Sequence, residues 1–355
     1  MLKKSVSRCL ISDVPLGVFL SGGLDSSSIV AMMTEVSNTR PKTFSIGFAE
    51  KTFNELDYAQ IVARHFDTEH HVEVLNPDAN DLIQTIANIL DEPFADASAL
   101  PTYLVSHMAR QHVTVALSGD AGDELFAGYD WYRAQRFASA TTDRLPDGIR
   151  PMLGTIASNI HPSSKKKGMA DIARRFLEGT ALPTGMLHTR WQTFWQDDDL
   201  AHLLAIPENE HSAALDPRLL TLFAACGSAH TLDRQQYADL KRYLPDDILF
   251  KVDRMSMAVS LETRGPLMDH TLVEFAARLP PSLRMHGFSM KYLLKRAMGD
   301  TLPQQILHRP KLGFNIPYKN WLRHELLDLL QDALSPARLR QQGIFHPEYV
   351  QKLIH

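Results

Sequence analysis

The run Val18-Phe19-Leu20-Ser21-Gly22-Gly23-Leu24-Asp25-Ser26-Ser27-Ser28 gathers paired glycines, an acid and several hydroxyls into one short turn. Its apolar beginning reads as the end of a buried strand, and its serines can cap and open a helix. Paired glycines let a backbone turn tightly and approach a ligand closely. Free N–H groups and the positive end of the following helix then face whatever lies in the turn, which makes it an anion site. No lysine follows the glycines, so this is not the G-x-x-x-x-G-K-[ST] phosphate loop. The compensating positive charge must come from a metal held by Asp25 and from lysines elsewhere in the chain. Ser-Gly-Gly alone would equally suit a tight strand-to-helix turn; the convergence of hydroxyls, glycines and an acid is what points to a ligand.

A second turn has the same character. Ser118-Gly119-Asp120-Ala121-Gly122-Asp123-Glu124 places three carboxylates in five residues, just before Leu125-Phe126-Ala127-Gly128-Tyr129. Those charges repel one another unless a cation or a cationic group sits among them. Alone, the turn reads as an acidic surface loop with Asp capping a helix. Beside the first turn it reads as the other half of one site.

Cations to complement them occur late in the chain. Tyr243 to Met257 carries Lys251, Asp253 and Arg254 within an otherwise apolar pattern, which implies paired, partly buried charges that either orient helices or touch a ligand. Glu262-Thr263-Arg264-Gly265-Pro266 follows at once. Lys291 begins a basic helix, and His308-Arg309-Pro310-Lys311-Leu312-Gly313-Phe314-Asn315 makes a Pro- and Gly-bounded loop with two cations. A lysine on such a loop can swing toward a phosphate.

These residues need a scaffold, and the first part of the chain supplies one. Strands are expected at Val14–Leu20, Thr43–Phe48, His71–Leu75 and Val113–Leu117. Helices alternate with them: Ser26–Thr34; one from near Asn54 with Tyr58, Ile61, Val62, His65 and Phe66 on a buried stripe; one marked by Leu82, Ile83, Ile86 and Leu90; and one by Leu100, Tyr103, Leu104, His107 and Met108. That order points to an α/β fold, a doubly wound and mainly parallel sheet with right-handed crossovers. Ligands bind beyond the carboxyl ends of such strands, where the strand order reverses. If the first strand lies beside the fourth, the two turns face one another.

From about Leu145 prolines punctuate the chain and strand-like alternation ends, so a helical second part is expected. The division reads as residues 7–140 for the α/β core that carries both turns, 141–240 for a mainly helical segment and 241–355 for a helical segment completing the cleft. Lys165-Lys166-Lys167 reads as a solvated turn, and Trp191, Phe194 and Trp195 as a core stripe. His65, His70 and His71 read as helix and strand positions rather than metal ligands.

With 355 residues the chain can build two packed domains. Its 44% hydrophobic and 22% charged content is that of a soluble globular protein, and 37 basic against 41 acidic residues give no drive toward nucleic acid. Two cysteines, Cys9 and Cys226, make neither a disulfide framework nor a metal cluster, and a reducing cytoplasm is the simplest setting. Asp13 and Pro15 interrupt the N-terminal apolar run short of a signal peptide. No run approaches the ~20 apolar residues of a membrane span.

The first turn resembles the S-G-G-x-D-S signature of the ATP pyrophosphatases (PP-loop superfamily), and with Ile11-Ser12-Asp13-Val14-Pro15-Leu16-Gly17 before it, the synthetase domain of glutamine-dependent asparagine synthetases. The second turn is similar to that family's S-G-x-G-x-D-E-L-F-x-G-Y block. Asp120-Ala121 stands where Glu-Gly is commoner, which shortens the acid by one methylene. The stretch Leu244 to Met257 resembles L-P-x-x-x-L-x-K-x-D-R-x-S-M, and Glu262 to Asp269 the E-x-R-x-P-x-x-D block. The resemblance implies an adenine nucleotide alpha hydrolase-like fold and an ATP-dependent amide synthesis with ATP and Mg2+. Aspartate is adenylated on its β-carboxylate and ammonia displaces AMP. It implies that Ser21, Gly22, Gly23, Ser26 and Ser27 hold pyrophosphate, that Asp25 and Asp123 hold magnesium, and that Leu20, Ile46, Ser118 and Gly119 line the adenosine end. Lys291 and Lys311 then neutralise phosphates, with Lys311 and Asp120 catalytic. Glu262 is a further catalytic candidate, and Asp123, Glu124 and Arg264 belong to the substrate pocket.

Members that hydrolyse glutamine begin with Cys after the initiator Met and carry an N-terminal hydrolase domain, whereas this chain begins Met1-Leu2. The expectation is that it takes free ammonia, is fed by a separate glutaminase subunit, or is a fragment of a longer protein; a homodimer is compatible with each. Rival expectations are a β-lactam synthetase-like or other ligase acting on a different carboxylate, a tRNA-modifying ATP pyrophosphatase disfavoured by the acidic balance, and an inactive remnant.

Overall fold

The computed structural model describes residues 1–48, 55–75, 77–146, 148–157, 160, 169–183, 185–195, 197–206, 217–310, 316 and 318–354. The chain divides into two compact units. One comprises Met1–Phe126, Arg242–Met285 and Lys291–Leu329; the other comprises Ala127–Lys241, His286–Met290 and Leu330–His355.

The first unit is built on a five-stranded, wholly parallel sheet of order β3-β2-β1-β4-β5. Its strands are β1 (Leu16–Phe19), β2 (Lys42–Phe48), β3 (Glu69–Leu75), β4 (Val115–Leu117) and β5 (Glu262–Arg264). β1 lies between β2 and β4, with Val18 registered against Thr43 on one side and Leu117 on the other. This is the neighbour relation expected for a doubly wound sheet, and it puts the strand-order reversal beside the two Gly-rich turns. Four of the strands follow the expected segments. β5 carries no strand signal in the sequence, because it has only three residues and charges at both ends.

Helices α1 (Leu2–Cys9), α2 (Leu24–Val36), α3 (Leu56–His65), α4 (Ala79–Ile89) and α5 (Ala99–Arg110) alternate with or precede the strands. α2 contributes the wholly buried Ile29, Val30 and Ala31, and β1 and β4 contribute Val18, Ala116 and Leu117, as parallel strands covered on both faces require. A large apolar cluster joins Phe44 and Ile46 of β2 to Leu82, Ile86, Val105 and Met255. Burying one such side chain stabilises by ~1.5–3 kcal/mol, so this cluster fixes the floor on which the turns stand. On α3 the buried face is Ala59, Val62 and Ala63 rather than the larger stripe; His65 is exposed and its Nε2 lies 3.1 Å from the Thr301 carbonyl oxygen.

The second unit is helical among its described residues. Asp239 is its buried polar centre, accepting from Trp131 Nε1 at 3.2 Å, Gln192 Nε2 at 2.7 Å and the Tyr132 hydroxyl. Burial holds the nearby His188 ring below its ordinary pKa, although Asp239 pulls the other way. The aromatic stripe is not core as expected: Phe194 and Trp195 are exposed, because the short helix Thr189–Gln192 ends before them and Thr193 is extended. The lysine run at 165–167 lies outside the described residues. No helix among the described residues is long and apolar enough to cross a membrane.

Candidate active site

The two turns meet. Gly23 caps α2, whose first turn carries Asp25, Ser26 and Ser27, and the Ser27 amide donates to the Gly23 carbonyl at 2.9 Å. The Ser21 hydroxyl lies 3.2 Å from that of Ser26 and accepts from the Gly23 amide at 3.3 Å, so the hydroxyls and backbone of this turn form one connected ring. Ser27 is fully buried, and its Oγ has no hydrogen-bond partner among the described residues. From the other turn, a Cβ on Gly119 would lie 3.1 Å from the Ser26 nitrogen, so backbone packs on the start of α2. Gly122 opens α6 (Gly122–Phe126) directly against the Asp25 carboxylate. Ala121, just before it, is held in the left-handed region at φ 72.

Lys291 closes the group. Its Nζ lies 2.6 Å from Asp123 Oδ1 and also contacts Asp25 Oδ2. Burial works against the ammonium charge, but attraction to Asp123 and Asp25 outweighs it and raises the lysine above its ordinary value. Asp25, Asp123 and Lys291 are therefore brought together. Two carboxylates with hard oxygen donors, converging on one cation position, are the donor set by which Mg2+ is held together with substrate phosphates rather than by an all-protein cage. No group of three or more His, Cys, Asp or Glu among the described residues is arranged to hold a metal.

The floor beneath the first turn contains a residue that sequence reasoning did not single out. Arg309 donates from Nη1 to the Ser21 carbonyl at 3.0 Å, pairs with Glu55 and lies 4.4 Å over the Tyr58 ring. Gly22, at φ +67, packs on the same Tyr58–Ala59 backbone. The only sequence signal for Arg309 is its place in the basic loop; Lys311, two positions on, lies outside the described residues.

A second charged cluster adjoins Asp120. Lys251 is buried and donates to Asp96 Oδ2 at 2.6 Å and to Ser98 Oγ at 2.7 Å. Desolvation raises the Asp120 carboxyl above the ordinary range, while a Ser118 hydrogen bond and Lys251 partly counter it. Asp247 is pushed up to about 6, chiefly by burial and then by Asp96. The pairing expected of Lys251 is thus present, but sequence reasoning misses Asp96 and Ser98. Their signal, an acid two residues before a serine at the start of a helix, is too common to stand out.

Leu20, Ile46 and Ser118 are buried at or beside their strand ends; the Leu20 amide donates to the Phe44 carbonyl at 2.8 Å, and the Ser118 amide to the Arg264 carbonyl at 2.8 Å. Glu124 is buried. Glu262 and Arg264 are committed elsewhere. The Arg264 guanidinium donates to Glu262 at 2.6 Å and to the carbonyls of Cys9 and Ile11 at 2.8 Å, tying down the end of α1. None of these bonds reaches Asp25, Asp123 or Lys291.

The family model for asparagine synthase matches residues 1–355. The chain belongs to the asparagine synthase family. It is 33% identical over 354 residues to the glutamine-hydrolyzing asparagine synthetase 1 of Bacillus subtilis (strain 168), covering 99% of this chain and 54% of the relative. It is 26% identical over 366 residues to asparagine synthetase 3 of the same organism, covering 98% of this chain and 52% of the relative. Amidase chyE of Penicillium rubens is 26% identical over 367 residues, covering 90% of this chain and 52% of the relative. The chain spans about half the length of these curated relatives. Within this asparagine synthase family member, the two turns expected from sequence to face each other do so at the carboxyl ends of β1 and β4.

Proposed function

We propose that this chain is the synthetase part of an asparagine-forming amide ligase, which adenylates the side-chain carboxylate of aspartate with MgATP and passes ammonia to the adenylate. The observation that carries the reading is the convergence of Asp25 and Asp123, from turns on adjacent strands, upon the single Lys291 ammonium. A carboxylate is a poor acceptor for ammonia, so activation must come first. A β-carboxylate oxygen bonds to the α-phosphorus as the bond to pyrophosphate breaks. Ammonia then bonds to the acyl carbon, AMP leaves with the electron pair, and nitrogen sheds a proton.

The chain's contribution is mostly positioning and charge stabilisation. The backbone of Ser21, Gly22 and Gly23 and the hydroxyls of Ser21 and Ser26 would grip pyrophosphate, with Ser27 beside them. Asp25 and Asp123 would hold Mg2+, which when bound neutralises charge on the departing phosphates. Lys291 and Lys311 would meet phosphate oxygens, and Leu20, Ile46, Ser118 and Gly119 the adenosine. Asp120, whose carboxyl burial raises above the ordinary range, would serve adenylate formation. Glu124 would serve the substrate pocket through its buried position. Glu262 and Arg264 would act by supporting the wall rather than by contact. Ammonia would come free or from a glutaminase partner or domain.

The test is pyrophosphate–ATP isotope exchange with a panel of acids. Aspartate-dependent exchange that disappears in Asp25→Ala and Lys311→Ala is expected; full exchange in either variant removes that residue from the scheme. A relative named an amidase keeps a second reading in view, a ligase of the same chemistry acting on a different carboxylate. Exchange with such an acid but not with aspartate would select it.

A further inference from the structure

A lysine waiting for phosphate would ordinarily extend into solvent. Lys291 does not: its side chain is only 10% exposed, and its ammonium lies between Asp25 and Asp123. Both ends of the residue are fixed. Its backbone is in the left-handed region at φ 52, and its amide donates to the Phe126 carbonyl at 3.0 Å, at the end of the helix that begins on Gly122. The two carboxylates it touches are those assigned above to the divalent ion.

An ammonium and a divalent cation drawn to the same pair of oxygens exclude each other. The repulsion between cations a few ångströms apart in a poorly hydrated site is large compared with thermal energy. We infer that Lys291 is a resident counterion, which holds the divalent-cation position whenever no triphosphate is present and leaves it only when phosphate oxygens offer the ammonium a new partner. This rests on the reading of Asp25 and Asp123 as the magnesium carboxylates, and adds an order to it. The metal is bound with the nucleotide and not before it. The lysine is suited to the exchange because its charge is a compact group on a flexible stem, able to turn from carboxylate to phosphate without backbone movement. Absent the ammonium, the two acids would repel and attract any divalent ion in solution. The ammonium thereby also offsets the repulsion between the two carboxylates, hydrogen-bonded to Asp25 and ion-paired with Asp123.

Mn2+ binding to the full chain, followed by electron paramagnetic resonance, tests this, with Mn2+ alone and then with the non-hydrolysable analogue α,β-methylene ATP. The wild type is expected to retain free Mn2+ only weakly and to bind it at least tenfold more tightly with the analogue. Lys291→Met should bind free Mn2+ at least tenfold more tightly than wild type, lose that gain when combined with Asp123→Asn, and show a melting temperature that rises with Mg2+. Lys291→Arg, which keeps the charge, should exclude the free metal as the wild type does. Wild type binding free Mn2+ as tightly as Lys291→Met overturns the inference, as does a Lys291→Met variant that melts cooperatively yet gains no affinity. In either case aspartate-dependent pyrophosphate exchange by the wild type would leave the ligase reading standing. Undiminished exchange in Asp25→Asn and Asp123→Asn would instead remove the assignment of these two acids to magnesium, on which the inference rests.

Discussion

A Cβ on Gly122 would lie 2.4 Å from Asp25 Oδ1 and 2.5 Å from its Cγ, so the turn after β4 is seated directly on the carboxylate carried by the turn after β1. Gly122 is the first residue of a helix, where alanine would ordinarily be tolerated. The contact with Asp25 predicts the reverse. Gly122→Ala should destabilise the fold by about 1–3 kcal/mol, the usual range for overpacking, and cut pyrophosphate exchange at least tenfold by displacing the carboxylate. Denaturant melts and the exchange assay check it; a Gly122→Ala variant that is more stable and fully active would unseat the two turns.

Gly22 and Gly23 are adjacent glycines with different duties. Gly22 has φ +67, and a Cβ there would lie 2.5 Å from the backbone of both Tyr58 and Ala59, which cannot yield as a side-chain tip can. Gly22→Ala should therefore cost about 3 kcal/mol or more, from left-handed strain together with overlap. Gly23 has φ −75, and its Cβ would meet only Ser21 Oγ at 3.2 Å. Gly23→Ala should melt close to wild type, so a rise in KM for ATP in that variant alone would report backbone approach to phosphate.

What the sequence discloses here follows the range of the interactions. The turns after β1 and β4 are legible because hydroxyls, glycines and acids cluster within a few residues, and because parallel strands alternating with helices bring such turns to one edge. Arg309 on Ser21, and Lys251 on Asp96, join positions hundreds or scores of residues apart, and no local pattern encodes such pairs. For Arg264 the resemblance implies a place in the substrate pocket, while the hydrogen bonds it makes lie at the end of α1. Its hydrogen bonds to Cys9 and Ile11 depend on α1, a helix whose residues in sequence suggest only a comparison with a signal peptide.

Arg309 supports the first turn from below through three contacts of different kinds: the Ser21 carbonyl, the Glu55 carboxylate and the Tyr58 face. Its side chain is 5% exposed, so its removal would leave Glu55 without its cation in a poorly hydrated place. Arg309→Ala should destabilise by about 3 kcal/mol, within the range for breaking a buried pair. Arg309→Lys keeps the charge but not the planar fork or the stacking, and should recover only part of that loss. Equilibrium unfolding of the two variants decides it: an Arg309→Lys variant as stable as wild type would mean that charge alone matters.

Asp247 gives the cluster beside Asp120 a pH signature whose direction is fixed. Its carboxyl is raised from 3.8 to about 6, by burial first and by Asp96 next, while Lys251 opposes the shift. For Asp96 burial pulls upward, but Lys251 and Ser98 prevail and hold it below the ordinary range. The two acids therefore differ: near pH 5 Asp96 is charged and Asp247 carries the proton that lets it donate to Asp96. The folded state binds this proton more tightly than the unfolded chain, so the stabilisation is complete below about pH 4, declines as pH rises, and is gone above about pH 6. Asp247→Asn supplies a permanent donor without a charge. The variant should match wild type below about pH 4 and exceed it at pH 7–8 by about 1 kcal/mol, a fraction of the full linkage because Asp247 keeps solvent contact. Urea unfolding across this range checks the sign, and a variant less stable than wild type at high pH would show that Asp247 is instead needed as an anion beside Lys251.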